Sequence, residues 1–565
     1  MKARFLTCCL SLLLLTISFA NAAKVEDFIP QESLLYLKLQ DIDEVYGEIE
    51  TSKSWEKAFA LLPNTPDWQE MQQGIAMVQG FLGTDLLSVI QTVGYRTAFA
   101  VWSNAENTPE MGLTVHSGGN LSELQRFTKI VEGLIGMSDT NTFHVDAGEY
   151  QRVPYNMMKV NQQYVAKYGF VDEFLVLGIG ENAFEKLMDT FRKKGPSIAK
   201  NTHYAKISKA VGSGQVSLFC NVQHTLKNFR VDGEKEDLND LEKLITALDQ
   251  LDIFEVLLGE FNLLETGEFF TLHGPFTQHA IERFYQLAPN SGRLLKGENR
   301  FKTVKAVSTD EDLFIAIAPV VSEVLWQGIS KFIAEEADDD VYAGISFFEG
   351  LLNLNLEDDI FPSLTGEIAI AINDLAQFDP SALESLEIEF DGAFSMDAGG
   401  AETQGALIFN ASNPRKWSQL GNSISNLQNL SVSQTDHNGV SVSTFATNLH
   451  YATVDGLFLF GSSEEQMYAL IDEIKNGKSP VYFMQLPKPP IAIAQLNVER
   501  AFELEKGPPP SDRVFVNSSE IPPMVAWVSV KDNEASLEMS LSRKTTGLEA
   551  LARLMPFVIW NMEGQ

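Results

Sequence analysis

Phe174-Leu175-Val176-Leu177-Gly178 closes on a glycine, and six residues later Phe184 opens the stripe Phe184, Leu187, Met188, Phe191. Leu457-Phe458-Leu459-Phe460-Gly461 does the same, with Met467 opening Met467, Leu470, Ile471, Ile474. A short apolar run bounded by glycine reads as a buried strand. Apolar residues spaced three and four apart read as one face of a helix. Two further pairs of stripes flank these units in the same order. Leu124, Phe127, Val131 and Leu134 share their spacing with Trp417, Leu420, Ile424 and Leu427. Ile281, Phe284, Leu287 and Pro289 are answered by Leu548, Leu551, Leu554 and Pro556. The recurrence predicts an internal duplication, and what the copies do not share is then no requirement of the fold.

Working outward, the first half predicts a strand at Leu34–Leu39 and, after a cap at Asp41, a helix over Ile42 to Phe59. Pro63 to Pro66 ends it, and a further helical stretch runs to about Ile90. Strands are expected at Thr97–Trp102 and Met111–His116, a helix from Asn120, and three or four short strands between Phe143 and Ile179. The helix after Gly180 stops at Gly195-Pro196. Strand Val216–Val222, an acidic helix at Asp237–Leu251, a hairpin Val256–Phe276 and a last helix complete the unit.

The second half repeats the series. Strands at Leu313–Ile317, Ile368–Ile372, Ala406–Asn410 and Ile491–Asn497 accompany a helix at Val321–Ala334 and a hairpin of Val525–Val530 with Ala535–Leu541. Ser462 and Glu465 have the spacing of a capping box. Meander spacing too tight for crossovers predicts an α+β fold of two duplicated units, 23–295 and 296–565. Each is expected to be antiparallel sheet with amphipathic helices packed on one face. Helices recurring between the strands argue against an outer-membrane β-barrel.

The start reads as an export signal over 1–22. Lys2 and Arg4 precede the apolar run Leu10 to Phe19, and Ala20-Asn21-Ala22 offers small residues for cleavage near Ala22. Cys8 and Cys9 precede the apolar run, which argues against lipid modification. No other stretch approaches the roughly 20 apolar residues of a spanning helix, so the mature chain is expected to lack a transmembrane segment. The expected address is the periplasm or the extracellular space. A net charge of -34 argues against nucleic acid as a partner. Of three cysteines only Cys220 lies beyond the signal, so no internal disulfide is expected.

Asp27-Phe28-Ile29-Pro30-Gln31-Glu32-Ser33-Leu34-Leu35-Tyr36 forms a proline-led turn into a strand. Phe81-Leu82-Gly83-Thr84-Asp85-Leu86-Leu87 then precedes Gly94-Tyr95-Arg96-Thr97-Ala98-Phe99-Ala100. This arrangement resembles a bacterial exported family called domain of unknown function 3352. The resemblance is clearest over roughly the first 230 residues. It implies an envelope or secreted location and carries no established activity or site residues. Ser308-Thr309-Asp310 stands where the second half would repeat the proline turn.

No reactive constellation is readable. The pair His273 and His279 straddles a hairpin-to-helix junction and has no metal-ligand spacing. Gly178-Ile179-Gly180 lacks the third glycine of a dinucleotide loop. Cys220 and His224 invite a thiol–imidazole reading, but the register of the copies sets them against Leu496 and Arg500, which favours a buried strand position for Cys220. Among the acidic runs Asp232 to Asp240, Glu335 to Asp340 and Asp358-Asp359, Asp338-Asp339-Asp340 is contiguous and lacks the glycine of a calcium loop, so it reads as a solvated helix end or loop, with weak calcium binding left open. No catalytic, cofactor-binding or metal-ligating residue is therefore assigned, and no cofactor is expected. The reading is an exported, non-enzymatic binding or scaffold module whose partner in the envelope is a protein or an apolar ligand. Two alternatives stay open: a carrier of a lipid or other apolar ligand, and a hydrolase with a spatially assembled carboxylate pair.

Overall fold

The computed structural model describes residues 23–61, 86–138, 143–160, 163–211, 214–228, 253–287, 301–306, 312–319, 366–373, 405–410, 433–445, 449–476, 490–498, 523–531 and 533–562, with a few isolated residues between. The expected export signal lies outside the described residues, as do the helices expected at 237–251 and 321–334, the three acidic runs and the stripe beginning at Trp417. Two compact units divide the chain: Met1–Thr51, Asn64–Gln250 and Glu255–Leu263 form unit 1, and Ser52–Pro63, Leu251–Phe254 and Leu264–Gln565 form unit 2.

Unit 1 opens with a 3-10 turn, Val25–Asp27, followed by β1 (Leu35–Gln40) and α1 (Ile42–Thr51). Helix α2 (Lys53–Leu61) is counted with unit 2. Unit 1 continues with α3 (Leu86–Gly94), β2 (Arg96–Ser103), β3 (Pro109–His116) and α4 (Leu121–Ser138). The meander β4 (Phe143–Tyr150), β5 (Val153–Val160), β6 (Gln163–Val171) and β7 (Phe174–Ile179) comes next, then α5 (Ala183–Phe191) and α6 (Thr202–Val211). The unit closes with β8 (Val216–Cys220), α7 (Val222–Asn228) and β9 (Leu257–Phe261). Its strands pair antiparallel in the order β9–β8–β1–β2–β3–β7–β6–β5–β4.

Unit 2 contains β10 (Thr266–Pro275), α8 (Gln278–Leu287), β11 (Leu313–Ile317), β12 (Glu367–Ile372) and β13 (Gly405–Asn410). It continues with β14 (Ser433–His437), β15 (Val440–Phe445), β16 (Leu449–Val454), β17 (Leu457–Gly461) and α9 (Glu464–Asn476). Then come β18 (Ala492–Leu496), β19 (Met524–Lys531), β20 (Glu534–Thr546) and α10 (Gly547–Met562). Its antiparallel order is β10–β20–β19–β18–β11–β12–β13–β17–β16–β15–β14. From β11 to β19 this is the order of β1 to β9, strand for strand. Mixed helices and extensive antiparallel pairing make the protein α+β.

The two glycines that end the quoted runs explain the packing. On Gly178 an added Cβ would stand 2.2 Å from Phe184 N, so α5 starts directly on the strand. Phe184, Leu187 and Met188 are all fully buried beneath it. In unit 2, Gly461 faces Met467, and Met467, Leu470, Ile471 and Ile474 close the core over Phe314, Ile408 and Leu459. Each such side chain contributes about 1.5–3 kcal/mol on burial.

Three local expectations are corrected. The helix expected over Ile42 to Phe59 is two helices, because Ser52 takes the cap position of the second: its Oγ accepts from Trp55 N at 3.3 Å and donates to Glu549 at 3.0 Å. The cap of α9 is Ser463, not Ser462. Ser463 Oγ accepts from Gln466 N at 3.4 Å, while Ser462 Oγ accepts from Gly405 N at 3.1 Å. Helix α5 ends at Phe191, ahead of Gly195-Pro196, where Lys193 turns to φ +60°.

Helices on one face only does not describe unit 1. Leu124 of α4 packs with Val115, Tyr168 and Leu175, and Val93 of α3 joins that cluster with Leu113 and Leu177. Those strand residues alternate with the ones under α5, so α3 and α4 lie on the opposite face. Strand β7 is apolar on both sides, with Phe174 and Val176 toward α5 and Leu175 and Leu177 away from it, and each side requires cover.

Candidate functional site

The face of the unit 2 sheet away from α9 carries a row of directly opposed side chains: Ala494, Ile315, Ile370, Leu407 and Phe460. A second row runs Ala492, Ile317, Ile368, Phe409 and Phe458. Every residue in both rows is apolar. Ile315, Ile370 and Leu407 remain 38%, 40% and 36% exposed, which is unusual for three large aliphatic neighbours in the middle of a sheet.

Following the same strand order in unit 1, the matching row is Leu218, Leu37, Phe99, Leu113 and Leu177. It too is wholly apolar, and its Leu113 and Leu177 end already packs in the cluster under α3 and α4. Leu218 is 41% exposed, and Met111 and Ile179, paired on the same face, are 36% and 38% exposed. With no donor or acceptor among these side chains, such a face recognises only apolar matter. It supplies contact and water exclusion, not chemistry.

Cys220 lies on this outer face of β8, opposite Leu35 and Leu257. Its thiol is 3.9 Å from Thr225 Oγ1, and burial pushes it up, the reverse of what a thiolate nucleophile needs. His224 is exposed on α7. His273 is buried on β10 and His279 exposed on α8, and among the described residues no three His, Cys, Asp or Glu converge as metal ligands. Gly178-Ile179-Gly180 is spent on packing: the space of a Gly180 Cβ is taken by Glu110, as that of Gly178 is by α5.

Two buried carboxyls are pushed up by burial, Glu260 and Glu367. Glu367 accepts from Lys302 N at 2.6 Å and Thr303 N at 2.9 Å, which fastens the 3-10 turn Thr303–Ala306. Glu260 belongs to a polar row inside unit 1 that sequence reasoning missed.

One polar contact recurs in both units and also went unread. Asp189 of α5 accepts from Tyr150 Oη at 3.0 Å and from Gln151, at the tip of the β4–β5 hairpin. Asp472 of α9 bonds His437 Nε2 at 2.9 Å and accepts from Asn438 Nδ2 at 2.5 Å, at the tip of the β14–β15 hairpin. Both hairpins turn through positive φ, at Gln151-Arg152 and Asn438-Gly439. Each aspartate stands eleven residues after its strand-ending glycine, which is the signal that would have found it.

The family model described as a protein of unknown function, DUF3352, matches residues 138–473, more than half of the chain. No curated protein matches. A solved structure described as "Structure of crystal form I of TP0453" aligns at 9% identity and a TM-score of 0.22, covering 48% of this chain and 87% of that one. Among the described residues, no helix is long and apolar enough to cross a membrane.

Proposed function

We propose that this chain, which belongs to the DUF3352 family, is an exported, non-enzymatic binding module built by tandem duplication. It presents an apolar sheet face to a partner in the cell envelope, in unit 1 through the part that α3 and α4 leave uncovered. One observation carries the reading: the in-register apolar row on the outer face recurs in both units. Duplication is supported by the shared strand order, by Gly178 and Gly461 in matching pairings, and by Asp189 and Asp472 holding matching hairpins. Covering the exposed remainder of three aliphatic side chains yields on the order of 2–3 kcal/mol. That is modest, and Phe458 of the neighbouring row is already buried, so the contact is a weak one. An apolar small molecule is the second reading, favoured by the lack of any polar side chain in the rows.

The test substitutes Ile315→Lys together with Ile370→Lys, at positions exposed enough to accept a charge. The native protein should bind the uncharged apolar dye Nile red and retain its envelope partner on affinity purification. The double variant, folded by circular dichroism, loses both by at least roughly tenfold. Unchanged dye and partner binding would refute the reading. Lipid in organic extracts of the native protein, absent from the variant, selects the carrier alternative.

A further inference from the structure

Three directly opposed residues interrupt the inner, apolar face of unit 1: Lys38 on β1, Ser217 on β8 and Glu260 on β9. They are 8%, 0% and 1% exposed. Ser217 Oγ donates to Glu260 Oε2 at 2.6 Å, and Gly214 N donates to the same oxygen at 3.1 Å. Glu26, in the opening 3-10 turn, stands 3.5 Å from Lys38 Nζ. Tyr36 of β1 and Tyr204 of α6, ring against ring at 5.5 Å, feel both carboxylates. The charged and titratable groups facing Glu260 are thus Lys38 and Tyr36 from β1, Glu26 from the turn and Tyr204 from α6.

In unit 2 the residues at the same places in strand order and register are Ala316, Ile493 and Trp527. These are 0%, 2% and 2% exposed and belong to its apolar core. These three places therefore close without a polar side chain in unit 2, whose buried carboxyl, Glu538, stands one strand further on and bonds Trp527 rather than an ammonium. Buried ionic groups commonly cost stability relative to apolar replacements, so the row in unit 1 calls for another reason. Its charges do not balance: Lys38 faces two carboxyls, Glu26 at the half-buried rim and Glu260 in the interior, and neutralising the buried one is the low-cost solution.

We propose that the row Lys38–Ser217–Glu260 is a proton-operated latch in which Glu260 holds a proton in the folded unit, and loss of that proton loosens β9 from β8. The proton resides on Oε1, since Oε2 already accepts two hydrogen bonds. Burial pushes the Glu260 carboxyl up and Glu26 adds to this, against the opposing pull of Ser217, Lys38 and Gly214. A carboxyl raised on folding makes the folded state the better proton binder. Its stabilising contribution is then full below the ordinary glutamate range and is lost as pH rises through the folded-state value. Unit 1 tightens in mild acid and loosens toward neutrality, and unit 2 has no counterpart of this row.

The experiment is hydrogen exchange by mass spectrometry on the intact chain, corrected for intrinsic rates, across the pH range from ordinary glutamate titration to mild alkalinity. Peptides over 216–220 and 257–261 report the latch, and peptides over 492–496 and 524–531 are the internal reference. Native protection of β8 and β9 falls by up to about tenfold per pH unit while Glu260 titrates. Glu260→Gln, which keeps an acceptor for Ser217 and Gly214, abolishes that slope. The same slope in native and variant, or the same slope in the reference peptides, overturns the proposal. Infrared titration of the native protein serves even where the variant does not fold: the absence of any carboxyl titrating above the ordinary glutamate range overturns it equally.

Discussion

A methyl group placed on Gly178 meets backbone. Its Cβ would lie 2.2 Å from Phe184 N, 2.6 Å from Ala183 C and 2.7 Å from Phe184 Cα, against an ordinary contact of about 3.5–4.0 Å. Relief requires the first turn of α5 to lift off β7 by about 1 Å, and that turn carries the buried Phe184, Leu187 and Met188. Overpacking of this kind costs about 1–3 kcal/mol, more when main chain must move, and the roughly 0.5–1 kcal/mol gained by replacing a strand glycine does not offset it. The matching change Gly461→Ala meets side chains alone, Met467 Sδ at 3.0 Å and Cγ at 3.4 Å, with Ala406 Cβ at an ordinary 3.5 Å. A thioether side chain swings aside easily, so the two terms nearly cancel there. Gly178→Ala should therefore destabilise its unit by at least about 2 kcal/mol more than Gly461→Ala does its own. Urea unfolding of the full chain, with hydrogen exchange assigning each loss to its unit, reads the difference. Equal losses, or a larger loss from Gly461→Ala, would show that α5 is not seated on the glycine in the way described.

Further consequences follow from buried and paired groups. Trp527 Nε1 donates to Glu538 Oε2 at 2.9 Å with both residues buried, so Trp527→Phe leaves a carboxylate short of its donor. Chemical denaturation should register a loss of about 1–3 kcal/mol, and the same change combined with Glu538→Leu should recover part of it. Bonds from Asn438 and His437 hold the Asp472 carboxyl below the usual aspartate range. The hairpin strap of unit 2 is therefore present above that range and lost as pH falls through the folded-state value. Amide exchange of residues 433–445 should accelerate in acid in the native protein, and Asp472→Asn should flatten that response.

The strand–glycine–helix units were legible because one residue type, glycine, sits where sheet and helix touch and the apolar stripe resumes at a fixed distance. Boundaries set by distant partners were not. Nothing in the apolar pattern from Ile42 to Phe59 marks Ser52 as a cap, since its hydroxyl answers to Glu549 almost five hundred residues away. Similarly, Ser462 looked like the cap because it precedes Glu465 suitably, whereas pairing with Gly405 engages it elsewhere. The row Lys38, Ser217, Glu260 is invisible along the chain because antiparallel pairing of separate segments assembles it. The position of Cys220 opposite Leu35, matching Leu496 opposite Leu313, was readable because the patterns of the two halves could be laid in register.

Strand β10 lies along β20 from Thr266 to Pro275, and α2 packs with α10, with Ser52 and Ser54 both bonded to Glu549. A fragment started at the midpoint of the sequence would keep β20 and α10 but discard both partners. Its longest strand would then offer a bare hydrogen-bonding edge to any neighbouring chain, and its last helix an uncovered flank. Expression of the C-terminal half alone should accordingly yield self-associating material, whereas a piece that also retains residues from 52 to 63 and from 264 onward keeps that rim sealed.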